Sequence, residues 1–216
     1  MFDFTVVLTT LPQLLTGLAA TFGVSITAIV LGFFLGWAIC LGSVSHLRWL
    51  SAMSRLYVSF FRGTPLLVQL TLVFYALPAT GISLPPLVAA VLALTLNTAA
   101  FQGEILRAGF LMLPRGQLEA ARDLGLTRWQ TLRHVQVPQV FRSMLPALTN
   151  ETIDIIKNSA LVSTVAVTEL MRTAQVYAST TYRPIEFFVA AGVLYLVLTM
   201  STARIGAWLE RRLPAG

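Results

Sequence analysis

Gln117 to Pro138 reads QLEAARDLGLTRWQTLRHVQVP, a polar island between two stretches whose composition suits a bilayer. Leu118, Ala121 and Leu124 recur every three residues, while Gln117, Glu119, Arg122 and Asp123 point elsewhere, so the spacing predicts an amphipathic surface helix. Gly125 ends that helix, because glycine takes the left-handed conformation that closes a helix terminus. Thr127 followed by Gln130 is a capping box that opens a second helix, with Trp129, Leu132 and Val135 on one face. Pro138 lacks an amide donor and predicts the end of that second helix. The expected product is a rigid helix-glycine-helix handle outside the bilayer.

The rest of the chain supports that placement. Of 216 residues, 56% are hydrophobic and 11% charged, with a mean hydropathy of +0.76, against roughly 25% charged residues in soluble domains. The class is therefore an all-α membrane protein, one domain over residues 1–216. The first residues, MFDFTVV, have no basic region, which argues against a cleaved leader. The single cysteine, Cys40, excludes an intrachain disulfide.

Apolar runs predict five spans, at about residues 14–44, 56–77, 85–113, 142–167 and 185–209, with the handle occupying 114–138 between spans three and four. Span one carries Gly17, Gly23, Gly32 and Gly36, small surfaces for intrachain helix packing. Gly63-Thr64-Pro65 predicts a kink or local unwinding in span two. In span three Asn97, Phe101, Glu104 and Ala108 share a stripe, and Glu104 stands three residues before Arg107, the spacing of an ion pair. Span four is the most polar. Glu151, Asp154 and Asn158 fall on one face, and Lys157 follows Asp154 by three. Such a face either looks into a water-filled path, since ionisable groups are expensive in lipid, or is neutralised within the helix by an Asp154–Lys157 pair.

The arginines sort the loops. His46, Arg48, Arg55 and Arg62, then Arg107, Arg115, Arg122, Arg128, Arg133 and Arg142, then Arg204, Arg211 and Arg212 mark cytoplasmic ends. The expected orientation is N-terminus out and C-terminus in. Residues 168–183 are then an external loop whose charges balance, with Glu169, Arg172, Arg183 and, just beyond, Glu186, either suited to meeting a soluble solute-delivery protein or merely solvated.

Catalytic motifs are few. No GxxxxGK[ST] loop exists and the one lysine, Lys157, lies in a span, which excludes that mode of ATP binding by this chain. His46, His134 and Cys40 have no metal-ligand spacing. Ser159 near Asp154 and Lys157 is the one arrangement open to an intramembrane hydrolase, and the handle itself has the outline of a DNA-binding helix-turn-helix on a chain of net charge +6.

The pattern Glu119-Ala120-Ala121, Gly125, Val135, Val137-Pro138 resembles the EAA loop of ABC importer permeases, with valines in place of two other aliphatic residues. FRGTPLLVQL at Phe61 to Leu70, RGQLEAARDLG at Arg115 to Gly125 and TYRPIEFF at Thr181 to Phe188 resemble the polar amino-acid uptake branch. Lys157-Asn158-Ser159-Ala160-Leu161 is similar to a Lys-Asp-Thr-Ser-Leu stretch of that branch, from which Asn158 departs. The resemblance implies a non-catalytic permease subunit in the bacterial cytoplasmic membrane, with no cofactor of its own. It further implies two ATPase subunits holding ATP and Mg, a second permease chain, identical or similar, an extracytoplasmic solute-binding protein, and no nucleic acid. By the same resemblance Gln117, Leu118, Glu119, Ala120, Ala121, Arg122, Gly125 and Pro138 couple to the ATPase. The substrate-pathway candidates are Asn97, Glu104, Glu151, Asp154, Lys157 and Asn158. A proton-coupled amino-acid carrier using Glu151, Asp154 and Lys157 is the alternative within transport.

Overall fold

The computed structural model describes residues 4–213, and the first three residues of the amino-terminal stretch lie outside the described residues. Every described element is helical. A short α1 (Thr5–Thr9) precedes α2 (Leu11–Ser43). α3 (Arg48–Gly63) leads into α4 (Leu66–Thr71), which continues through a π turn (Leu72–Ala76) and a 3-10 turn (Leu77–Thr80). α5 (Pro86–Met112) is followed by α6 (Arg115–Asp123) and α7 (Arg128–Gln130). A second π turn (Thr131–Gln136), α8 (Val137–Asn158), a 3-10 segment (Ser159–Val165), α9 (Leu170–Thr181) and α10 (Pro184–Arg212) complete the chain.

Among the described residues α2, α5 and α10 are long and apolar enough to cross a membrane, and the α3–α4 segment makes a fourth if its bent halves are one span. α5 is the central post. Its small residues Ala89, Ala90, Ala93, Ala99, Ala100 and Gly103 are buried, which lets α2 approach closely. A β-carbon on Gly36 would stand 2.9 Å from the Ala99 carbonyl oxygen and 3.0 Å from the Gly103 nitrogen. Gly36→Val should therefore force the α2–α5 seam apart at about 3 kcal/mol, read as a lowered thermal midpoint in detergent. Gly23, with nothing within 4 Å of its added β-carbon, should accept alanine without loss. Gly17, Gly32 and Gly36 thus serve packing within the chain, as expected, whereas Gly23 does not.

The kink expected in span two is a 105° break, and its helix starts at Arg48 rather than at residue 56. Thr64 is extended and Pro65 opens α4 without an amide donor. The break strands carbonyls at the end of α3, and two side-chain amides take them. Gln69 Nε2 donates to Phe61 O at 2.8 Å and Thr64 O at 3.0 Å, and Asn97 Nδ2 from α5 donates to Gln69 Oε1 at 3.0 Å. Gln69 is buried, so its amide is committed to the bend.

Three other expectations are corrected. Pro138 does not end the second helix of the handle. The π turn over Thr131–Gln136 widens the backbone where a proline ring would strike the carbonyl four residues earlier, and the helix passes on into α8. The polar span expected at 142–167 is consequently α8 from Val137, with Pro146 inside it, finished by the 3-10 segment. Residues 168–183 are no loop. They hold α9, whose Leu170, Thr173, Ala174 and Ala178 are buried, and Glu169 has zero exposure.

Candidate functional site

The handle is built by its own local chemistry. Gly125 has φ +76°, its amide donates to Arg122 O at 2.8 Å, and Leu126 N donates to Ala121 O at 3.0 Å. These paired bonds close α6 in a Schellman motif. Thr127 Oγ1 then accepts from Gln130 N at 3.3 Å while the Gln130 side chain accepts from Thr127 N at 2.9 Å, the reciprocal capping box that opens α7. Both signals were legible in the sequence because each depends on residues within five positions of one another.

The apolar stripe of α6 divides in a way its periodicity does not reveal. Ala121 is buried at 4% exposure and Leu118 is half-buried, whereas Leu124 is 81% exposed. Trp129, five residues on, is 66% exposed. Gln117, Glu119, Ala120, Arg122 and Gly125 are exposed and Pro138 is half-buried. Leu124 and Trp129 flank the glycine turn and find no cover among the described residues, a surface suited to a partner.

A second candidate site lies where the broken segment meets α5 and α8. Asn97, Glu151, Asp154 and Asn158 line one cavity of about 320 Å³ with Thr64, Pro65, Leu66, Leu67, Phe101 and Leu161. Glu151 is buried and accepts from Thr98 Oγ1 at 2.8 Å. Asp154 is half-exposed and paired to Lys157 at 2.6 Å, as the three-residue spacing predicts. The pair neutralises Asp154 while its helix face still lines the cavity. Glu104 is not in this group. Arg107 Nε donates to it at 2.8 Å, Arg62 Nη1 stands 4.0 Å away, and the three line a separate cavity. Sequence reasoning missed Gln69, which accepts from Asn97 Nδ2 at 3.0 Å beside this cavity; the signal available was an amide four residues after Pro65 in an apolar run. Ser159 is fully buried and donates to Ile156 O at 2.8 Å, its hydroxyl proton spent on its own helix.

The family described as "Binding-protein-dependent transport system inner membrane component" matches residues 28–214. The chain belongs to this family. Members are permease subunits, which are not themselves catalysts, and this permease is a multi-pass membrane protein. Its similarity extends over nearly its full length. The arginine transport system permease protein ArtQ of Bacillus subtilis (strain 168) is 36% identical over 212 residues, spanning 98% of the permease and 97% of ArtQ. The octopine transport system permease protein OccM of Rhizobium radiobacter is 37% identical over 223 residues, spanning 94% and 89%. A chain from the crystal structure of an amino acid ABC transporter with histidines superposes with a TM-score of 0.92 at 36% identity, covering 98% of the permease and 99% of that chain.

Proposed function

We propose that the permease is the pathway subunit of an ATP-driven importer of polar amino acids in the bacterial cytoplasmic membrane. The handle carries this reading: a rigid, doubly capped helix pair presents Glu119, Leu124 and Trp129 outward with nothing among the described residues to cover them. The relatives named for arginine and octopine transport support the solute class. In this reading residues 1–216 form one domain that crosses the bilayer five times, N-terminus out and C-terminus in. The five crossings are α2, the α3–α4 segment, α5, α8 with its 3-10 extension, and α10. The handle then sits among cytoplasmic arginines, as the positive-inside rule requires.

Two ATPase subunits, which hold the ATP and Mg, engage the handles of two permease chains, and a solute-binding protein delivers from outside. Gln117 to Arg122 present the contact, and Gly125 with Pro138 sets the angle at which α6 stands. The handle can move the pathway only if it binds two ATPase conformations unequally, since equal binding shifts nothing. Substrate passes the cavity of Asn97, Glu151, Asp154 and Asn158, where Glu151 offers a carboxylate to an ammonium group and the two amides offer donors and acceptors. Lys157 balances Asp154 there, and Glu104 belongs to the arginine cluster beside the path.

The test is purification of the wild-type chain from its own cells, scored for a bound ATPase subunit and for uptake of radiolabelled amino acids into proteoliposomes. Uptake that requires ATP and survives an uncoupler is the expected outcome. Uptake that collapses with the uncoupler and ignores ATP would replace this reading with a proton-coupled carrier through Glu151 and Asp154.

A further inference from the structure

A cavity of about 340 Å³ opens between the last turn of α2, α3 and α5, lined by Ser43, Arg55, Ser59, Arg62, Glu104 and Arg107 among others. It lies at the end of α5 from which the handle departs. Three guanidinium groups face one carboxylate, which leaves two positive charges without a counter-charge. Two of the three are held in place. Arg107 grips Glu104 through two of its nitrogens, which holds that carboxylate on the α5 side. Arg62 stands at 4.0 Å from Glu104, beyond hydrogen-bonding distance, with its guanidinium 5.3 Å from the centre of the Phe101 ring. That stacking orients the fork at small entropic cost. Arg55 has no ion-pair or hydrogen-bond partner among the described residues. Arg55, Ser59 and Arg62 follow one another at spacings of four and three, so all three donors project from the same face of α3.

Arg55, Ser59 and Arg62 are exposed, so a soluble or lipid-borne ion can reach them, and gathering guanidinia in one recess costs free energy through like-charge repulsion that a bound oxyanion relieves. Planar guanidinium forks match the oxygens of phosphate and carboxylate bidentately, and basic pockets between membrane helices take phospholipid headgroups. On these grounds we infer that the Arg55–Ser59–Arg62 face of this cavity is an oxyanion-binding site for a phosphate group carried by an anionic lipid or free in solution. The site is separate from the cavity that contains Glu151 and does not depend on which solute is transported.

The full chain in phosphatidylcholine nanodiscs provides the test, with the thermal midpoint followed as sodium phosphate replaces sodium chloride at constant ionic strength. A second arm compares nanodiscs of pure phosphatidylcholine with nanodiscs containing phosphatidylglycerol. Binding to the folded state raises the midpoint. A rise with phosphate that Arg55→Gln, Arg62→Gln removes supports the site with a soluble anion as occupant. A rise confined to phosphatidylglycerol and removed by the same variant supports it with a lipid headgroup. Arg204→Gln, which removes a charge elsewhere, should keep the rise. Glu104→Gln should tighten the apparent affinity severalfold, because it removes the competing carboxylate, and this gain is readable even if the double variant folds poorly. No rise in either arm, or an equal rise in a folded double variant, overturns the inference.

Discussion

Combining Glu119→Arg with Gly125→Pro is expected to leave the permease inserted in the membrane but to cut both ATPase co-purification and ATP-dependent uptake by at least about tenfold. Glu119 is exposed, so reversing its charge leaves the fold alone and acts on the contact outside it. Truncating one partner of a buried interfacial charge pair costs about 2–5 kcal/mol, and each 1.4 kcal/mol is about a tenfold loss of affinity. Gly125 contributes differently. Its φ of +76° is closed to proline, whose ring holds φ near −65°, and proline also deletes the amide that donates to Arg122 O. The Schellman closure then fails and α6 loses its fixed angle to α7. The helix ends involved carry no core residue beyond Ala121, so circular dichroism and the yield of monodisperse protein should match wild type. Transport that persists at the wild-type rate in the double variant would remove the handle from the coupling role.

The second large effect is expected at Glu169, which is fully buried and receives four hydrogen bonds. Met171 N donates to Oε2 at 2.8 Å and Arg172 N to Oε1 at 2.7 Å, capping α9. Tyr195 OH from α10 donates at 2.8 Å and Thr21 Oγ1 from α2 at 3.1 Å. One carboxylate therefore ties three helices together. Glu169→Ala leaves two amides and two hydroxyls without this acceptor in a place closed to water, and each unsatisfied buried donor costs about 1–3 kcal/mol. Allowing for partial relaxation, the total is about 3–5 kcal/mol, or roughly 10 °C in the thermal midpoint for a chain of this size. Glu169→Gln keeps one carbonyl acceptor and should recover part of that loss. A midpoint for Glu169→Ala within 2 °C of wild type, a threshold of about 1 kcal/mol, would show that the neighbouring helices pack without this tie.

The comparison with the sequence reading turns on distance along the chain. Gly125, the Thr127–Gln130 box, the break at Gly63–Pro65 and the Glu104–Arg107 and Asp154–Lys157 pairs were all legible, and each is an interaction between residues at most five apart. Such contacts follow from backbone geometry and side-chain reach alone. The same local rule misled at Pro138, where a π turn in the preceding residues removes the clash that normally stops a helix. It also misled at Glu169 to Arg183, where mixed charge suggested a solvated loop.

The residue order alone thus established the all-helical membrane class, the glycine-hinged handle and the polar face of α8, since periodicity and capping are properties of a few neighbouring side chains. Folding in three dimensions added what those neighbours cannot specify. It set Asn97, Glu151, Asp154 and Asn158 around one cavity while leaving Glu104 in another. It also sealed Glu169 among α2, α9 and α10, and left Leu124 uncovered although it repeats in register with the buried Ala121. Burial is a sum over contacts between residues far apart in sequence, 148 positions in the case of Thr21 and Glu169, and it is the packing of α2, α5, α8 and α10 that fixes which of the equivalent faces meets protein.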